Sequence, residues 1–184
     1  MIGLRADGEP QEPGWLTAFS SGPFLAATGE PARPHSELRL AHDGEFLHLL
    51  LYAADEDIET RDRRPDGPVW LDDAFQLQLR ADNSGPVYAV DVSAAGVITD
   101  ARTPEGGRPD LAWQSGARAE VEHDGTLNSA QDDDEEWLVE LSIPLKTLGL
   151  VPGKSVHLSA TRCDVPKGGR RLCGGWQALV DLKR

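Results

Sequence analysis

With 184 residues, 39% of them apolar, the chain can bury the core of one domain, expected to span residues 1–184. Its 31 acidic residues against 18 basic ones give a formal net charge of −13, which repels phosphate backbones and anionic lipid and so sets aside nucleic-acid and membrane-surface roles. No run approaches the roughly 18 consecutive apolar residues of a membrane helix, while the acidity suits neutral polar ligands, calcium, or solubility alone.

The opening "MIGLRADGEP" lacks the basic-then-apolar pattern of a secretory leader. Trp15 follows a turn-rich start and is expected to plug one end of the fold. "ELRLAHDGEFLHLLLYAAD" (37–55) reads as two strands around Asp43-Gly44, a strong hairpin signal, and "FLHLLLY" is apolar enough for a central strand buried on both faces. In "VWLDDAFQLQL" (69–79), period-two alternation assigns Asp73, Phe75, Leu77 and Leu79 to the core face and Trp70, Asp72, Ala74, Gln76 and Gln78 to the other. "ADNSGP" ends that strand, and "VYAVDVSAAGVITDA" supplies two more around Ala95-Gly96.

"WQSGARAEVEH" runs to a further Asp-Gly at 124–125. The acid run "QDDDEE" (131–136) repels itself and is expected to be a solvated loop, with a calcium loop as the alternative, although EF-hand spacing is absent. In "WLVELSIP", Trp137, Val139, Leu141 and Ile143 share a face and read as core, whereas Trp113 begins a strand and could face either way. The best helical signal is "IPLKTLGL" (143–150), opened by Pro144 and closed by Gly149. "SVHLSATRC" and "WQALVDL" bring the count to about nine strands without interleaved helices. The expected fold is all-β, a two-sheet antiparallel sandwich of jelly-roll type with one short helix.

Cys163 and Cys173 flank "PKGG", which is turn chemistry, so they fit facing positions on a long hairpin. A bond between them would stabilise by roughly 3 kcal/mol and place the protein in an oxidising, extracytoplasmic compartment; two reduced cysteines in a cytosolic sheet are the alternative. No GxSxG, HExxH, GxxxxGK[ST] or GxGxxG motif is present, and His35, His42, His48, His123 and His157 lack metal-ligand spacing at short range, so the chain is not expected to be an enzyme.

Trp70, in phase with an acid and two amides, is the residue that points to a ligand. An indole covers the apolar C–H patch of a pyranose while carboxylate and amide groups bond its hydroxyls; a ring covered by a loop is the alternative. "ADGEPQEPGW", "HDGEFLHLLLYAADED", "RD" at 61–62, "VWLDDAFQLQL", "VYAVDVSAAGVITD" and "DGTLN…WLVELSIPLKTLGL" follow in an order that resembles family 9 carbohydrate-binding modules and their DOMON-like relatives. The resemblance implies a β-sandwich with structural calcium, a metal whose ligands it does not identify here. It also implies a neutral oligo- or polysaccharide held between two tryptophans, which would be Trp70 and Trp176. Asp72, Gln76, Gln78 and Arg162 would be polar contacts. Gln76 stands where a sugar-binding member carries a glutamate, and an amide lacks the charge-assisted strength of a carboxylate. DOMON-like haem domains use a methionine ligand, and the only methionine here is Met1, so no haem is expected. A monomeric binding module is the leading expectation, and a structural or interaction domain of the same fold that lost sugar binding is the alternative.

Overall fold

The computed structural model describes residues 13–61, 63–81, 85–129, 131–164, 166 and 169–182. Met1, the start of "ADGEPQEPGW" through Gln11 and Glu12, Asp62, Asp82–Ser84 of the "ADNSGP" turn, and Lys167-Gly168 of "PKGG" lie outside the described residues.

Ten strands form two five-stranded sheets in which every named pairing is antiparallel. One sheet (sheet A) orders β1 (Phe19–Ser20), β2 (Ser36–His42), β3 (Phe46–Ala54), β8 (Glu136–Pro144) and β7 (Arg118–Asp124). The other (sheet B) orders β10 (Leu172–Asp181), β9 (Ser155–Asp164), β4 (Ala74–Arg80), β5 (Val87–Ser93) and β6 (Ile98–Thr103). The two-sheet antiparallel β-sandwich expected from the alternation is the fold observed.

The core lies between the sheets and follows the pleat. In sheet A, Leu47, Leu49 and Leu51 sit opposite Ile143, Leu141 and Val139, and all six are buried. From sheet B, Phe75, Leu77, Leu79, Val90, Val92, Val156 and Leu158 enter the same cluster. At roughly 25 cal/mol per Å² of apolar area removed from water, this layer is the main stabilising contribution. Trp15 and Trp137 are both buried, and their indole N–H groups donate to Glu140 at 3.2 Å and to Asp55 at 3.0 Å. Trp113 is partly buried against Tyr88, with ring centroids 5.2 Å apart.

Turn chemistry sets the connections. Asp43 Oδ1 accepts from the backbone N–H of Glu45 and Phe46, and Gly44 takes φ 96°, closing the β2–β3 hairpin where Asp43-Gly44 marks it. Two expectations differ. Residues 145–149 form consecutive turns after Pro144, too short a run to complete a helix, with Gly149 at φ 62°. The short α-helix lies instead at Pro13–Leu16 (α1). The acid run is exposed at 131–133 and 135, but Asp134 is buried, and its carboxylate accepts from the backbone N–H of Ile58 and Thr126, both at 2.7 Å. It pins the β7–β8 connection to the segment after β3.

Cys163 and Cys173 stand directly opposite one another on β9 and β10 and are disulfide-bonded.

Candidate functional site

The outer face of sheet B carries a polar surface generated by strand phase. Core-facing Phe75, Leu77 and Leu79 send Gln76 and Gln78 outward on β4. Registered pairing then aligns Gly175, Thr161, Gln76, Asp91 and Thr99 in one row across five strands. The next outward row is Gln177, Ser159, Gln78, Ala89 and Ala101. These rows floor a cleft of about 770 Å³.

Its wall is the segment after β1. Leu25 exchanges backbone hydrogen bonds with Gly175, at 2.8 and 2.9 Å, so the segment extends sheet B beyond its β10 edge and brings Ser21, Pro23 and Leu25 to the rim. A Cβ on Gly174 would lie 2.4 Å from the Ala32 methyl carbon, so glycine there permits this close approach. A second trough of about 530 Å³ adjoins the cleft, shares Gln78, Ser159 and Gln177 with it, and ends at Arg80 and His157.

Among the described residues, Asp91 is the one charged residue lining the cleft. Burial pushes its carboxyl up to about 6, against the opposing pull of hydrogen bonds from the Gln76 side chain and the Leu77 backbone. The Gln76 amide donates to Asp91 Oδ2 at 3.4 Å.

The residues expected at the site divide. Gln76 and Gln78 line the cleft, and Trp176 borders it. Trp176 runs in phase with Ala178 and Val180, is half-buried against the core cluster, and packs on Phe19 with ring centroids 5.5 Å apart. Trp70 is 43% exposed but does not line the cleft. It belongs to a 3-10 turn, Val69–Leu71, so strand alternation begins only at Ala74. Because period-two reasoning fails before that point, Asp72 is not outward-facing as expected but 2% exposed, and Asp73 is fully buried.

Arg162, expected at the same cleft, points to the opposite side of β9. It is 2% exposed and donates to Asp55 Oδ2 at 2.6 Å and Asp164 Oδ1 at 2.9 Å. Ligand atoms of Asp55, Asp73 and Asp164 all lie within 4.8 Å of one another, forming a buried acid cluster beneath the disulfide hairpin. Burial raises the Asp164 carboxyl, partly offset by the charge of Arg162.

Asp91, Ser159, Thr161 and Gln177 were missed by the search for motifs. Alternation in "VYAVDVS" does place Asp91 outward, since Tyr88, Val90 and Val92 are buried, but only the β4–β5 register reveals that it meets Gln76.

No protein-family model matches the sequence, and no curated protein matches it. Solved structures do match. A "putative carbohydrate-binding protein" from Bacteroides uniformis superposes with a TM-score of 0.69 at 15% identity, over 87% of this chain and 77% of that one. A family 9 carbohydrate-binding module from Caldicellulosiruptor kristjanssonii in complex with cellotriose gives a TM-score of 0.54 at 14% identity, over 93% and 77%. The same kind of module from that organism in complex with glucose gives 0.55 at 13%, over 93% and 78%. This chain shares their fold. At these identities the likeness extends to the sandwich, not to the individual side chains of the cleft.

Proposed function

We propose that the protein is a non-catalytic carbohydrate-binding domain that takes neutral glycan on the outer face of sheet B. The supporting observation is the convergence of Gln76, Gln78, Ser159, Thr161 and Gln177 on one open cleft. Amides and hydroxyls both donate and accept, which suits the paired hydroxyls of a sugar ring. Leu25 and Trp176 supply apolar border for C–H patches, and the fold is one in which neighbours hold cellotriose and glucose. In this reading Gln76 and Gln78 are the central contacts, and Trp70 lies outside the bound glycan.

Calorimetric titration with cello-, xylo- and chito-oligosaccharides tests it. Gln76→Ala should weaken binding about tenfold, one lost charge-neutral hydrogen-bonding group in a partly dry site, and Trp70→Ala should leave it unchanged. No binding at millimolar sugar would overturn the reading in favour of an interaction domain of the same fold, and a large loss with Trp70→Ala would return that ring to the site.

The disulfide fits an oxidising compartment. No helix among the described residues is long and apolar enough to cross a membrane. We assign structural calcium, if held, to Asp55, Asp73 and Asp164. Three hard oxygen donors lie within reach of one ion there, and Arg162 bonds two of them. A bound ion would stabilise the native state by mass action, so chelator should lower the melting temperature and added calcium restore it. An unchanged melt would remove the ion from the cluster.

A further inference from the structure

The cleft's charge pattern goes beyond neutral sugar. None of its lining residues is basic, and Asp91 is its one acid. Among the described residues Asp91 has no cationic partner; its hydrogen bonds come from the Gln76 side chain and the Leu77 backbone. A partly buried carboxylate without a counter-charge gains more from an arriving cation than from a neutral hydroxyl, because an ammonium adds direct Coulomb attraction to the hydrogen bond.

The neighbours suit an ammonium. Along the row, Gln76 stands beside Asp91 at the interstrand spacing of about 4.8 Å and Thr161 lies one strand further, offering an amide carbonyl and a hydroxyl. An ammonium carries three donors and no acceptor, and this row presents three kinds of acceptor. Arg80 and His157, the basic groups of the adjoining trough, lie four residues further along β4 and its partner. At about 3.3 Å per residue that is roughly 13 Å, beyond the screening length at physiological salt.

We propose that the cleft selects glycans bearing a free amino group, with Asp91 as the charge partner of the ammonium. This rests on the carbohydrate-binding reading and adds its specificity: a hexosamine is preferred, its N-acetylated form loses the preference, and an acidic sugar is rejected. The raised affinity of Asp91 for protons has the same origin, since a carboxylate short of positive charge takes up a proton when nothing better is offered.

The test is calorimetry at about 150 mM salt and pH 7, a screening length of about 8 Å, with the glucosamine disaccharide, its di-N-acetyl form and cellobiose. The amine should bind about tenfold tighter than either neutral disaccharide. Asp91→Asn should erase that margin, and Glu105→Gln, an exposed acid outside the cleft, should retain it. Lowering the pH to about 4.5 should also shrink the wild-type margin, because Asp91 becomes neutral while the amine stays charged. Its row neighbours Gln76, Thr161 and Thr99 do not titrate, and Asp100 of β6 faces away, bonded to Ser115. Equal affinities in the wild type, or a margin that survives Asp91→Asn, would overturn the inference while leaving neutral-sugar binding intact. A margin that Glu105→Gln also loses would show bulk attraction by an acidic protein and overturn it too. If none of the three disaccharides binds, the carbohydrate reading falls and takes this inference with it.

Discussion

Sheet B withdraws carboxylates from water in two places and treats them differently. Near the disulfide, Asp55, Asp73 and Asp164 are buried together, and Arg162 from the core-facing side of β9 donates to two of them. On the outer face, Asp91 is partly buried and accepts hydrogen bonds from the Gln76 side chain and the Leu77 backbone. The first arrangement answers part of its charge with Arg162; the second has no cation beside it among the described residues. A compensated buried cluster locks geometry, whereas an uncompensated carboxylate on an open face is a cost to folding that a ligand can recover.

The largest effect should come from breaking the compensated cluster. Removing one partner of a buried ion pair leaves uncompensated charge, so Arg162→Met should lose about 3–5 kcal/mol at neutral pH, measured by urea unfolding. The deficit should shrink in acid as the Asp164 carboxyl, which burial raises, takes up its proton. Calcium should recover part of the loss if the three acids hold that ion. A deficit below about 1 kcal/mol would show that Arg162 is not what neutralises the cluster, and the contrast with Asp91 would collapse.

The sequence makes one half of this contrast more legible than the other. Hairpins and core faces follow from period-two alternation and Asp-Gly turns, both local signals, so the sandwich and the outward phase of Gln76 and Gln78 could be read directly. Alternation identifies a face only inside a strand, and at Val69–Leu71 the chain is a 3-10 turn; Trp70 and Asp72 therefore went astray by the one assumption that served Gln76 well. Arg162 shows a different limit. Its phase with Leu158 and Ala160 points inward, but a buried arginine is credible only once its acids are known to be there, and these come from residues 55 and 164, joined only by the fold. Asp91 needed sheet register as well as phase, because its meaning lies in having Gln76 beside it and, among the described residues, no cation.

The smaller effect tests the open carboxylate, and its sign is opposite. Asp91 is held at about 6 in the folded protein against 3.8 for the ordinary side chain. Below about pH 3.8 it is protonated in both states and costs nothing. As pH rises from there to 6, the unfolded chain ionises while the native state keeps its proton, so stability falls; above 6 the full cost is present. Allowing for solvent screening of its partly exposed oxygens, that cost is about 1–2 kcal/mol. Asp91→Asn should therefore be more stable than wild type by this amount at pH 8 and indistinguishable from it near pH 3.5, in paired thermal melts. Saturating glucosamine disaccharide should narrow the difference by stabilising the wild type more than the variant, since only the wild type presents the ammonium's charge partner. A variant less stable than wild type at pH 8 would mean that Asp91 stabilises the fold through its charge. Both acid sites would then be structural, and the distinction between the two faces of the sheet would vanish.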